Sequence, residues 1–203
     1  MSLEMLERAL PALTELIAPR PGVGAPGHGL RSRSPGTGCA VDWKLIADEL
    51  GTELPVDYVE LVRRYQGLVI DNRLGIRMPW PGWERWYIDA TRECLQELED
   101  CWLTRDSGGH VPYPRPRGLI PWGGSIDGDT FYWRTHPDGP EAWTVVVCGA
   151  DDVWVEVERD LTGYLAGLVL GEIEPCGGLS KGFPGATPSV SVDDGWRRHL
   201  TGG

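Results

Sequence analysis

Between Leu119 and Val157 the chain sets out four short runs of branched and aromatic residues, and the links between them are too brief for anything but direct reversal. The runs are Leu119 to Trp122, Thr130 to Arg134, Trp143 to Val147 and Val153 to Val157. Parallel neighbours would need a crossover of a dozen or more residues. Here the links carry Gly128 with Asp129, then Pro137, Asp138 and Gly139, then Gly149 with Asp151 and Asp152, all turn-forming residues. An antiparallel meander is the only arrangement that fits. In its last run Val153, Val155 and Val157 alternate with Trp154, Glu156 and Glu158, so one face is apolar and the other presents acid around an indole.

Helices flank the meander. Tyr58, Leu61, Val62 and Tyr65 recur at the spacing of one buried helix face, with Pro55 suited to the first turn and Gly67 placed to end the element. A shorter helix precedes it from Trp43 to Leu50 and stops at Gly51. Val69 with Ile70, and Leu74 to Arg77, read as a small hairpin turned at Asp71 and Asn72. A long helix runs from Trp83 or Glu84 to Trp102, with Tyr87, Ala90, Cys94, Leu98 and Cys101 turned inward and Glu93, Glu97 and Asp100 on a separate acidic stripe. Asp160 is placed to cap a closing helix that carries Leu161, Tyr164, Leu165 and Leu168. The first residues, Met1 to Pro19, form an amphipathic helix with Leu3, Leu6, Leu10, Leu13 and Ile17 on one stripe.

Composition divides the chain. Pro19 to Gly38 is crowded with Pro, Gly, Arg and Ser, and the segment from Glu174 onward repeats that habit, so neither is expected to hold a packed core. The organisation read from this is residues 1–42 as an N-terminal helix and linker, 43–172 as one domain, and 173–203 as a tail. The formal net charge is −11, and because acids and bases balance in both flanks the excess acid lies on the central domain. Nucleic-acid binding draws its affinity from Lys and Arg on phosphates, so no nucleic-acid partner is expected. A basic protein surface is the natural complement. No apolar run approaches the length of a membrane span, and the N-terminus lacks a basic, apolar leader pattern, so a cytoplasmic protein with no membrane partner is expected. Five cysteines without a C-x-x-C pair fit free thiols.

Catalytic chemistry is poorly served. The four histidines are dispersed and no metal-ligand spacing occurs, so no metal, cofactor or catalytic residue is expected. Cys148 with His136 across a hairpin, and Asp127 with Asp129, are the remaining candidates for a nucleophile pair or an acid–base pair. Gly123, Gly124 and Gly128 lead into a strand and lack a following Lys-Ser or Lys-Thr, so they shape a turn and not a phosphate cradle. Ten tryptophans are the unusual investment. Most serve the core, but Trp80 and Trp83, held between Pro79, Pro81 and Gly82, suit a rigid exposed platform.

In order and spacing, one set of residues resembles a known superfamily. It runs from Leu54, Pro55, Asp57, Tyr58, Leu61, Tyr65 and Gly67 through Leu119 to Gly123, then Gly128 to Trp133, then Trp143 with Val145 to Val147, and ends on the closing helix. The superfamily is SUKH, the Knr/Smi-like proteins named partly after fungal cell-wall assembly regulators. The resemblance implies an α+β fold, a curved and largely antiparallel sheet packed by helices. It also implies that Asp129 binds backbone amides at its turn. Many bacterial relatives are immunity proteins, so the implied role is a non-catalytic protein that covers a cognate basic toxin domain, such as a nuclease or deaminase. The alternatives are a regulatory scaffold that binds several proteins and, third, a small hydrolase. For the favoured role the expected contact residues are Trp80 and Trp83 as anchors, with Asp127, Asp129, Asp151, Asp152 and Glu156 supplying negative charge.

Overall fold

A computed structural model describes residues 2–17, 40–65, 67–180 and 182–192. In chain order these form α1 (Ser2–Ala9), α2 (Leu13–Ile17), α3 (Trp43–Leu50), α4 (Val56–Arg64), β1 (Leu68–Ile70), β2 (Leu74–Ile76) and α5 (Glu84–Thr104). There follow β3 (Leu119–Ser125), β4 (Thr130–Arg134), β5 (Thr144–Cys148), β6 (Trp154–Val157), α6 (Leu161–Leu170) and β7 (Val190–Val192). The Pro- and Gly-rich stretch from Pro19 to Gly38 lies outside the described residues, as does the side chain of Ile17.

The strands make one open seven-stranded sheet in the order β6-β5-β4-β3-β2-β1-β7, with every neighbouring pair antiparallel. The meander is therefore present as expected, and the small hairpin extends it. Pro121 sits inside this sheet, where a residue without an N–H is normally excluded. A bulge resolves the conflict, because the register of β3 on β4 shifts between Pro121 and Gly123. Ile120 and Trp122, two residues apart along the strand, face the same side, and each is buried in the main core.

That main core lies between one sheet face and the helices α1, α4 and α6. Leu68, Ile70, Leu74, Ile76, Phe131, Trp133, Val145 and Val147 supply the sheet side. Helix α6 is apolar around its whole circumference, and residues Leu161 to Leu168 are all buried. A helix of that kind needs partners on both sides. The sheet provides one and α1 the other, through Leu3 and Leu6, and Leu10 and Leu13 just beyond are buried in the same core, none of the four more than 3% exposed. Asp160 caps α6 as expected, its Oδ1 accepting from the Gly163 amide at 2.7 Å.

Among the described residues, the opposite face of the sheet is covered only in part. Helix α5 lays Leu98 on Leu119, Tyr132 and Val146. Tyr87 and Leu98 are buried as expected and Cys94 is half-buried, but Cys101 is exposed. The inward stripe gives out at the helix end, where the Arg115 guanidinium lies over the Trp102 ring at 4.2 Å.

The expectation that the segment after Glu174 lacks packed residues is corrected. Leu179 and Phe183 are buried in the main core, and β7 pairs with β1 as an edge strand. Carboxylates tie this strap down. Asp71 accepts from the Gly185 and Ser189 amides, and Asp129 accepts from the Gly178 amide at 2.7 Å. No helix among the described residues is long and apolar enough to cross a membrane.

Candidate functional site

Side chains alternate along a strand, so the half-covered face can be followed residue by residue across the sheet. The register gives the row Ser191, Val69, Gly75, Gly124, Thr130, Cys148 and Trp154, one residue from each strand. None of the seven is fully buried. With two glycines at its centre the row is a shallow trough, bounded on one side by α5.

At the β2 and β3 end the trough deepens into a cavity of about 200 Å³ lined by Gly67, Gly75, Gly123, Gly124, Trp80 and Trp86, with Ile76, Arg77 and Met78 completing the wall. Arg77 is held in place by the Ala90 carbonyl at 3.0 Å and the Cys94 sulfur at 3.1 Å. Glycine is required at 123, because a Cβ there would stand 2.7 Å from the Gly75 carbonyl oxygen. Trp86 is 40% exposed and Trp83, at the start of α5, is 42% exposed. Trp80 is half-buried. Of the two indoles expected to form an exposed platform, Trp83 is exposed and Trp80 is not, and the exposed Trp86, absent from the expected contact residues, stands beside them. Its place in the first turn of α5 follows from the helix start read in the sequence, but its nearness to the glycine-rich strands was not legible locally.

On the other side of the trough stand the turns between β1 and β2, β3 and β4, and β5 and β6. They gather at one end of the sheet because the strands alternate in direction. Asp151 and Asp152 are exposed there, and no ion pair holds either one among the described residues. Ile126 and Val153, 74% and 52% exposed, flank them. Asp127 lies in the same group, but its Oδ2 is paired with Arg73.

Two expected contact residues are placed differently. Asp129 is 2% exposed, and its carboxylate accepts from the Ser125 hydroxyl at 2.6 Å, the Ala150 amide at 3.1 Å and the Gly178 amide. It binds backbone amides, as the resemblance implies, and so is turned inward from the surface where a partner would meet it. Glu156 sits on the half-covered face, apart from the acidic turns. Its Oε1 lies 2.6 Å from Arg134 Nε and 3.9 Å from Arg117, so its charge is largely answered within the chain. Arg134 also meets His110 Nδ1 at 2.9 Å, and His110 stacks on Trp154 at 4.4 Å between ring centroids. Burial, with Arg134 beside it, lowers the pKa of His110.

Cys148 and His136, the pair that might have carried nucleophilic catalysis, are not brought together. Cys148 pairs with Thr130 at one end of β4, whereas His136 lies two residues beyond Arg134 at the other end, roughly 20 Å away at about 3.4 Å per residue. Burial, aided by Asp152, pushes the Cys148 thiol up to about 11, which suppresses the thiolate that a nucleophile needs. His136 opens instead on a cleft of about 430 Å³ with Arg117, Trp143, Glu141 and Glu158. No group of three or more His, Cys, Asp or Glu among the described residues is arranged to hold a metal ion.

Comparison with known proteins adds one finding. The profile of the SMI1 / KNR4 family (SUKH-1) matches residues 40–167. No curated protein and no solved structure gives a significant match. The matched span takes in α3, α4 and α5, strands β1 to β6 and most of α6, which include the cavity, the acidic turns and all of the trough but Ser191. With its antiparallel sheet packed by helices, and a matched region that covers well over half of its length, the chain belongs to the SMI1 / KNR4 family (SUKH-1).

Proposed function

We propose that this SUKH-type protein-interaction module is an immunity protein, which neutralises a cognate toxin by covering a basic surface and without turning over a substrate. The observation that supports this reading is the pairing, on one half-covered sheet face, of exposed indoles with acids that have no ion pair among the described residues. Trp83 and Trp86 offer large rigid contact area at the α5 end. Asp151 and Asp152, with Asp127 beside them, set a negative potential at the turn end, and the exposed Ile126 and Val153 supply apolar contact within it. Trp80 lines the cavity between the two. A toxin that acts on nucleic acid carries the opposite charge in its groove, and complementary potentials raise the encounter rate and reject other partners.

The test is kinetic. With the partner captured from the native host, the double change Asp151→Lys and Asp152→Lys is expected to slow association about tenfold or more at low salt and to flatten its salt dependence. Unchanged association rates would remove the electrostatic reading. A partner that remains active when bound would remove the immunity role while leaving the interaction module in place.

A further inference from the structure

We propose that the outer edge of β6 is a strand-docking site, on which an extended basic segment of a partner protein pairs as an eighth strand of the sheet. The inference rests on the reading of the chain as a module that meets a basic protein, and adds how that protein is held.

The backbone supplies the first observation. The sheet is open, and β6 is one of its two edges. The Gly149 amide donates to the Val153 carbonyl at 2.9 Å, so these two residues form a hydrogen-bonded pair at the start of the β5 and β6 ladder. Such pairs alternate along antiparallel strands, so the next are Val147 with Val155 and Val145 with Val157. The N–H and C=O groups of Trp154 and Glu156 therefore point away from β5. None of these groups has a partner among the described residues. The two residues stand about 7 Å apart, the repeat at which an incoming antiparallel strand exchanges its bonds in pairs. An edge of this kind is a template for main-chain pairing.

Charge selects the occupant. Residues 151–160 hold five acids and one base, Arg159. Glu156 is answered by Arg134, and Asp160 caps α6. Asp151 and Asp152 at one end of β6 and Glu158 at the other are exposed, with no ion pair among the described residues. The same charges reject a second copy of this chain. Antiparallel registers centred on Trp154, Val155 or Glu156 set Asp152 opposite Glu156, Asp152 opposite Glu158, or Glu156 opposite itself, and like charges directly opposite are destabilising. A basic strand meets the reverse condition. Its basic side chains lie on the face of Glu156 and toward the acids at each end, and its apolar ones alternate with them beside the half-buried Val155 and Val157.

The probe is a blocked heptapeptide with Arg or Lys at odd positions and Val at even ones, added to the isotope-labelled full chain and followed by NMR. Hydrogen exchange at the Trp154 and Glu156 amides is expected to slow at least about tenfold at saturating peptide, with the Val155 amide, already bonded to β5, little changed. Two N-methylated isomers of the peptide carry the same charge and the same side chains. Methylation of the odd residues, whose amides face β6 when the basic side chains lie beside Glu156, should weaken binding at least about tenfold, whereas methylation of the even residues should leave it within about threefold. Glu156→Pro removes an outward N–H and no β5 bond, which an edge strand tolerates. It should weaken the parent peptide at least about tenfold, against about threefold or less for Glu156→Gln. No binding at about 1 mM peptide, equal binding of the two isomers, or binding unaffected by Glu156→Pro overturns the proposal. A Glu156 amide shift that changes on dilution of the chain alone also overturns it, by assigning the edge to a second copy. The immunity role is read separately, from the activity of the bound partner, so a silent edge does not remove it.

Discussion

Removing the Asp129 carboxylate separates a group that holds the fold from groups that face a partner. In Asp129→Ala three donors lose their acceptor: the Ser125 hydroxyl and the Ala150 and Gly178 amides. Gly178 is buried, so its amide has no water to turn to, and orphaning such a donor costs ~1–3 kcal/mol. Ala150 is exposed and Ser125 half-exposed, so each rehydrates and forfeits ~0.5–1.5 kcal/mol. The sum is about 2–6 kcal/mol, a large part of the ~5–15 kcal/mol by which a domain is usually stable. Asp129→Asn keeps an oxygen that accepts both amides and should cost only about 1 kcal/mol. Equilibrium urea denaturation followed by far-ultraviolet circular dichroism measures both, and hydrogen exchange at the Gly178 amide should quicken in the alanine variant alone. A loss below ~0.5 kcal/mol in Asp129→Ala, the range of ordinary surface changes, would refute the reasoning.

Leu6→Ala should cost about 2–5 kcal/mol in the same assay, because Leu6 is wholly buried where α1 meets the main core; a change within ~0.5 kcal/mol would mean that α1 is an appendage. Burial raises the Asp57 pKa above the ordinary 3.8, so its contribution to stability is present below pH 3.8 and is lost as pH rises through the raised value. Asp57→Asn, which can still accept from the Thr162 amide and hydroxyl, should therefore gain on the unaltered chain as pH rises across that window; parallel stability curves would contradict the assignment. At pH 7.5 the Cys148 thiol, raised to about 11, should alkylate at least about a hundredfold more slowly than a thiol at the ordinary ~8.5; mass-resolved labelling that finds it among the fast sites would reverse that reading.

The parts of the fold that could be read in advance are those written locally. Short turn-rich links dictate the antiparallel meander, and Asp160 before an apolar run marks the start of α6. What escaped is pairing between distant segments. β7 is three residues long within a Gly- and Pro-rich stretch, and its partner β1 lies more than a hundred residues earlier, so no local pattern announces it. The α1 stripe was visible but its target was not. The signal that would have found it is α6, which is apolar all round and so demands cover on its outer side. The candidate site divides in the same way. Asp151 and Asp152 stand exposed in the turn that their residue types and Gly149 announce. Asp129 and Glu156 differ from them only through partners on other strands, the Gly178 amide for one and Arg134 with Arg117 for the other.

The central claim is that the half-covered sheet face, with its indoles and acidic turns, meets another protein. Hydrogen exchange of the full chain, with and without the partner captured from its host, tests that claim most directly. Exchange is expected to slow in 68–76, 123–130 and 148–154, with the amides of α6 unchanged. Protection confined to the His136 cleft at the other end of the sheet, with none across the trough and its turns, would contradict it.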